Sequence, residues 1–152
     1  MIEIYTDGAC SQNGTWAGGW ASVMVIDGEQ VAVFGGGEKN TTNNRMEMMA
    51  FLCAVEDTRH LSKDEYVIHT DSAYIVNAFK QGWIDSWIKN GWKNAKKQPV
   101  ANQDLWQQIL EIRPKEELNI NKVKGHAGNK FNEVADDHAV MWRKKIENSD
   151  NT

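Results

Sequence analysis

Ile2-Glu3-Ile4-Tyr5-Thr6-Asp7-Gly8-Ala9-Cys10 and Tyr66-Val67-Ile68-His69-Thr70-Asp71-Ser72 decide the fold of this chain. In the first stretch Ile2, Ile4 and Thr6 alternate with Glu3, Tyr5 and Asp7, the period of two that separates the faces of a β-strand. Gly8 is expected to let the chain turn sharply beside the Asp7 carboxylate. A single aspartate at a strand end is most often only a turn former. The second stretch repeats the arrangement, an apolar run closing on Thr-Asp. If the two strands lie side by side, Asp7 and Asp71 meet at one edge of a sheet, where open α/β sheets place their ligands.

Working outward, Trp20 to Ile26 and Gln30 to Gly35 are strand-like runs split by Asp27-Gly28, a strong hairpin signal. With the first strand they form an antiparallel meander. The glycine-rich connector Ser11 to Gly19 lacks the spacing and following helix of a phosphate-cradling loop. Thr41-Thr42-Asn43-Asn44 supplies capping residues ahead of a long helix. Met46, Met49, Ala50, Cys53 and Ala54 recur at helical spacing and should face the core. Glu47 lies beside that stripe in the first turns, where the helix dipole favours negative charge.

Ser72 to Phe79 reads as a short helix that Gly82 ends. Trp83 to Lys97 is unusual: Trp83, Ile84, Trp87 and Ile88 form an i, i+4 stripe, and Gly91 breaks it before Trp92. Lys89, Lys93, Lys96 and Lys97 face a single Asp85 there, a local charge of +3 in an acidic protein. Ala101 to Ile112 is a further amphipathic helix carrying Trp106, and Pro114 stops it. Leu118 to Val123 is a fifth strand and Phe131 to Ile146 the last helix. Between them, Lys124-Gly125-His126-Ala127-Gly128-Asn129-Lys130 has the composition of a mobile loop. No repeat or linker divides the chain, so residues 1–147 are expected to form one domain and residues 148–152 a flexible polar tail.

The 152 residues suffice for a real core, and 41% apolar with 25% charged residues is ordinary for a globular protein. The net charge of −4 excludes nucleic-acid binding by bulk charge and leaves only a local patch. Two cysteines, Cys10 and Cys53, make no disulfide scaffold and fit a reducing compartment. Met1 leads directly into a strand containing Glu3, with no secretory leader pattern, and no apolar run reaches membrane-spanning length. The expectation is a cytoplasmic protein that does not engage membranes.

Four acids, Asp7, Glu47, Asp71 and Asp136, fall at element ends or early in helices. Crowded together they would repel, each close pair by roughly 4 kcal/mol at about 4 Å and an effective dielectric near 20. Such a cluster needs a cation. All-oxygen donors suit magnesium or manganese, and the scarce Cys and His argue against a zinc cage. A cluster of this kind can hold two ions about 3.5–4 Å apart, which suits phosphodiester cleavage.

Thr6-Asp7-Gly8-Ala9-Cys10, Thr42-Asn43-Asn44-Arg45-Met46-Glu47, Thr70-Asp71-Ser72 with Tyr74, and Val123-Lys124-Gly125-His126-Ala127-Gly128 with Asn132-Glu133 and Asp136 occur in this order. Together, from Ile2 to about Arg143, they resemble bacterial ribonuclease HI, the type 1 ribonuclease H that cleaves RNA in RNA–DNA hybrids. The resemblance implies a ribonuclease H-like α/β fold: a five-stranded mixed sheet, its first three strands antiparallel, with helices on both faces. It also implies two Mg2+ ions, with Mn2+ a substitute, bound by Asp7, Glu47, Asp71 and Asp136. The products would carry 5′-phosphate and 3′-hydroxyl ends, and His126 would assist proton transfer or product departure from its loop.

Trp83 to Lys97 matches the family's basic protrusion, so Trp83, Lys89, Lys93, Lys96, Lys97 and Trp106 are expected at the DNA strand. Aromatic planes beside cations serve stacking and counterion release there. Asn13 and Thr42 match a phosphate pocket on the same strand. Cys10, Asn43 and Asn44 belong with the groups reading the hybrid, Cys10 and Asn44 in the minor groove near the scissile RNA, where 2′-hydroxyls distinguish RNA. The partner is the hybrid duplex; the resemblance implies a monomer without an obligate protein partner.

Two departures stand out: a longer first loop without proline, and Ala73 where many members carry a polar residue. His69, two residues before Asp71, reads as a half-buried packing histidine, with tuning of the metal site as the alternative. The rival readings are a transposase- or integrase-like strand transferase on the same fold, and a non-catalytic hybrid-binding module. The first would be expected to bring flanking domains, and the second need not keep all four acids.

Overall fold

The computed structural model describes residues 1–11, 16–113, 117–124 and 129–149. Strands β1 (Ile2–Cys10), β2 (Gly18–Ile26) and β3 (Glu29–Glu38) form the antiparallel meander. Asp27 (φ 50°) and Gly28 (φ 85°) make the hairpin turn between β2 and β3, and left-handed conformations at both positions match the twist of the flanking strands. Strand β4 (Tyr66–Thr70) runs parallel to β1 on its other side, and β5 (Ile120–Lys122) runs parallel to β4. The sheet order is β3-β2-β1-β4-β5, so β1 is central. This is the five-stranded mixed sheet that the sequence predicts.

Helices α1 (Asn43–Thr58), α2 (Ala73–Lys80), α3 (Trp83–Asn90), α4 (Gln103–Ile112) and α5 (Lys130–Ser149) cover the two faces. On one face Ile4 and Ile68 pack in a common cluster with Met48, Phe51 and Val55 of α1 and with Leu105, Trp106 and Ile109 of α4. On the other, Tyr5, Val23 and Val25 pack with Ala135 of α5. The alternation along β1 therefore sends even residues towards α1 and odd residues towards α5. Burying a side chain such as Met48, Phe51 or Ile68 contributes about 1.5–3 kcal/mol, so the α1 face, with the larger cluster, carries most of the apolar stabilisation.

Several boundaries differ from the sequence expectation. Gly8 makes no turn: β1 stays paired with β2 through Cys10, with Gly8 opposite Trp20. Glycine is needed there for packing, because a Cβ would sit 2.5 Å from the Glu47 backbone nitrogen and 2.8 Å from Met46 Cβ. The predicted stripe on α1 misses Met48, Phe51 and Val55, all fully buried, because α4 packs on this helix in addition to the sheet. Helix α4 begins two residues later than predicted, after Asn102 in the left-handed region (φ 59°). Strand β5 keeps only Ile120–Lys122 of the predicted run. Helix α5 continues through Asn148 and Ser149, so two residues assigned to the tail are helical, and residues 150–152 lie outside the described residues.

Candidate active site

The two Thr-Asp pairs sit where the β1–β4 ladder ends. Thr6 Oγ1 donates to the His69 carbonyl at 2.9 Å, a buried bond that ties the strands together just before the acids emerge. Thr70 Oγ1 accepts from the Ser72 backbone N–H at 3.1 Å and turns the chain after Asp71. Ser72 then caps α2, its hydroxyl accepting from the Ile75 N–H at 3.2 Å. Glu47 arrives from α1, held against β1 by the close approach at Gly8. Carboxylate oxygens of Asp7, Glu47 and Asp71 lie within 4.8 Å of one another. Asp136 of α5 lines a cavity of about 30 Å³ together with Asp7 and Asp71, so three of the predicted acids cluster closely and the fourth borders the same space.

The electrostatics follow from burial and like charge. Burial above all pushes the Asp7 carboxyl up to about 7, and the Asp71 and Asp136 charges add to it. A hydrogen bond with Glu47 and the Gly8 N–H, donated to Asp7 Oδ1 at 2.8 Å, oppose the rise. Glu47 is pushed well above the carboxylate range by burial, then by the charges of Asp7 and Asp71. Its Oε2 is buried and has no hydrogen-bond partner. Carboxylates this close cannot all ionise without a counter-charge. An orphaned buried carboxylate oxygen in an all-oxygen donor set fits a hard divalent cation.

The metal-free protein should show this in its melting. Asp7 and Glu47 hold protons in the fold at pH values where the unfolded chain has released them, so stability falls as pH rises from about 4 through 7. Asp71→Asn removes a charge that raises both groups. In chelator near pH 8 this variant should melt above the parent by a few degrees, roughly 2–4 °C for each 1 kcal/mol in a chain this long. The gap should shrink near pH 5, and a divalent cation should raise the parent's Tm by linkage. Thermal melts in chelator check this, and an Asp71→Asn protein melting below the parent near pH 8 would exclude the crowding.

Of the other expected site residues, His126 and Asn13 lie outside the described residues. Cys10 is half-buried; its thiol donates to the Thr41 carbonyl at 3.4 Å, and burial pushes it up, so it stays protonated. Cys53 is likewise a free thiol, pushed up to about 11 by burial and the Asp57 charge. His69 packs in the interior, buried rather than half-buried: its ring stacks on Tyr5 at 4.4 Å between centroids. Asn121 Nδ2 donates to His69 Nδ1 at 3.0 Å, leaving Nε2–H to donate to Glu3 at 3.0 Å.

Thr42, Asn43 and Asn44 are exposed at the start of α1, where Thr42 Oγ1 caps the helix by accepting from the Arg45 N–H at 3.1 Å. Asn44 also borders an open groove of about 510 Å³, together with Tyr74, Trp83, Trp87, Val100 and Ala101. Lys89 on α3 and Lys93, Lys96 and Lys97 after it are exposed. The last three sit on a turn held by Asn94, whose Oδ1 accepts from the Lys96 and Gln98 N–H groups at 2.9 and 3.0 Å. They therefore do not form the solvated face of a helix.

Trp106 departs from expectation. It is fully buried, its Nε1–H donating to the Tyr74 hydroxyl at 3.4 Å and its ring packing against Tyr74, Phe79 and Trp87. No strand can stack on it, and its place is beneath the groove as support. Tyr74 and Trp87 are the aromatic groove residues that sequence reasoning did not assign, beside Val100 and Ala101. Their signal was present: Tyr74 follows the Thr70-Asp71-Ser72 motif, and Trp87 lies one helical turn after Trp83.

Residues 1–143 match the family model for RNase H. The ribonuclease H of Thermoanaerobacter sp. (strain X514) is 46% identical over 136 residues, covering 90% of this chain and 85% of the relative. Among solved structures, LC9-RNase H1, a type 1 RNase H with the type 2 active-site motif, is similar over 95% of this chain and 72% of that chain, with a TM-score of 0.74 and 27% identity. LC11-RNase H1, solved in complex with an RNA/DNA hybrid, covers 95% of this chain and 98% of its own at a TM-score of 0.67 and 22% identity. At that last identity the likeness concerns the fold.

Proposed function

This chain belongs to the RNase H family, and on that premise we propose that it is an endoribonuclease that hydrolyses the RNA strand of RNA–DNA hybrids. The observation that carries the reading is the carboxylate cluster of Asp7, Glu47 and Asp71, with its orphaned Glu47 oxygen. It belongs to the same molecule as the aromatic groove and four exposed lysines, which suit a nucleic-acid strand. In this reading Asp7, Glu47, Asp71 and Asp136 hold two magnesium ions. Bound divalent cations supply an activated water and a counter-charge for the leaving oxygen.

The chain's own residues do the rest. The Gly8 N–H orients the Asp7 carboxylate, and the seating of α1 on β1 orients Glu47. Water is the nucleophile, so Cys10, a protonated thiol, has no covalent role. It serves with Asn43 and Asn44 in reading the hybrid, while Thr42, whose hydroxyl still has a proton to give, joins Asn13 on a DNA phosphate. Trp83 stacks on the DNA strand. His126 passes a proton or helps product leave, and cleavage yields 5′-phosphate and 3′-hydroxyl ends. Residues 1–147 act as one domain, monomeric and cytoplasmic; among the described residues no helix is long and apolar enough to cross a membrane.

A labelled hybrid incubated with and without magnesium tests the activity. The RNA strand should be cut only with magnesium; an intact RNA strand, or a cut DNA strand, refutes it. A second measurement separates grip from chemistry. Replacing Lys89, Lys93, Lys96 and Lys97 with Ala should weaken hybrid binding and reduce its log–log salt slope by about 1 for each lysine that touches a phosphate. The loss should fall on KM and leave the saturated rate near the parent's. An unchanged slope would return these lysines to a merely solvated role.

A further inference from the structure

Arg45 lies inside the Thr42–Glu47 motif, yet neither the acid cluster nor the groove uses it. Its side chain is 26% exposed, and all three guanidinium nitrogens are engaged. Nε donates to Glu38 Oε1 at 2.7 Å, while Nη1 and Nη2 grip both Asp104 oxygens at 3.0 and 2.9 Å. Nη1 also reaches Asn102 Oδ1 at 3.4 Å. Glu38 ends β3 and accepts from Thr41 Oγ1 at 2.7 Å; Asn102 caps α4, and Asp104 sits in its first turn. One side chain thus joins the end of β3, the segment before α1, the start of α1 and the start of α4.

The position of this joint gives it meaning. The groove is bordered by Asn44 and, across from it in sequence, by Val100 and Ala101. Arg45 directly follows Asn44; of its partners, Asn102 directly follows Ala101 and Asp104 lies two residues further on. A planar guanidinium that holds a carboxylate by two parallel bonds fixes direction as well as distance, which a lysine cannot do.

The charge distribution argues against direct contact with the hybrid. Two carboxylates surround one guanidinium, so a phosphate would meet net negative charge. The Asp104 carboxyl is held below the usual range by its hydrogen bonds with Arg45, and Arg45 is held firmly protonated by Asp104 and Glu38.

We propose that Arg45 is a positioning residue that, through Asp104 and Glu38, sets the separation of Asn44 from Val100–Ala101 and so controls hybrid affinity without touching the substrate. The inference rests on the hybrid-cleavage reading above.

Hybrid Kd at several salt concentrations, KM and kcat are to be measured for the parent, Arg45→Ala, Arg45→Lys, Asp104→Asn and the Ala/Asn double variant. Asp104 is more than half exposed, so Asp104→Asn keeps the test open if Arg45→Ala does not fold. Each single variant should raise Kd and KM about tenfold, within the ~10²-fold that an ångström of misplacement can cost. The saturated rate and the salt slope should stay near the parent's. Arg45→Lys should not restore binding, and the double variant should bind no worse than the weaker single one, as expected of residues acting as one unit.

If Arg45 instead contacts phosphate, Asp104→Asn tightens binding by freeing the guanidinium, and Arg45→Ala lowers the salt slope by about 0.9. Either result overturns the inference, as do additive losses or variants that bind like the parent. A parent that leaves the hybrid uncut refutes the functional reading; a parent that cuts beside variants equal to it refutes only the role of Arg45.

Discussion

Asp7→Asn abolishes hybrid cleavage, a loss well beyond the roughly 10–100-fold typical of removing an outer partner of a metal ligand. The amide keeps the shape and the Gly8 hydrogen bond can persist, but one of the clustered charges disappears. A neutral oxygen cannot balance a divalent ion in a site this buried. Asp71→Asn should fail in the same way, although in chelator it is the more stable protein. Hybrid binding should largely survive in both, because the groove and the lysines belong to other elements. Single-turnover cleavage beside equilibrium binding checks this, and a rate within about tenfold of the parent for either variant removes the metal-ligand assignment.

His126→Ala lowers the maximal rate by a factor on the order of 10²–10⁴, the usual span of general acid–base assistance. Imidazole is the side chain whose protonation changes near neutral pH, which suits passing a proton more than permanent ligation beside four acids. Val123 and Lys124, just before it in the chain, line the cavity that Asp7, Asp71 and Asp136 share. Magnesium affinity and hybrid affinity should barely change. Magnesium titration and hybrid binding of the Ala variant, set beside its single-turnover and steady-state rates, decide the matter. Loss of magnesium binding in step with the rate would make His126 a ligand and overturn its role as a proton carrier.

Periodicity and turn chemistry carried most of the fold. Alternation in Ile2–Thr6 gave β1 its two faces, Asp27-Gly28 marked the hairpin, and the repeated Thr-Asp brought β1 and β4 together. What stayed hidden depends on what covers a surface, which no local pattern encodes. A single helix stripe does not show that α1 packs against α4 as well as the sheet, and so it leaves out Met48, Phe51 and Val55. Trp106 and Trp87 look alike in sequence. Only the packing reveals that one ring is the prop and the other the wall. Gly8 misled for a related reason: glycine marks a turn or a close approach equally well, and its neighbour lies thirty-nine residues away, at Glu47.

If Glu47 holds the metal as proposed, that close approach ties the site to the core with no side chain between helix and strand. No loop or linker separates Glu47 from the helix that fills the α1 face, and no side chain cushions β1 from it. The acid therefore inherits the mechanical tolerance of the packing around Met46 and Met48, and interiors this dense shift by tenths of an ångström when a methylene is gained or lost. Substitutions in this interior can thus damage chemistry before they measurably damage folding. A sequence drifting neutrally in stability is held, on this face of the sheet, to a stricter standard by its reaction.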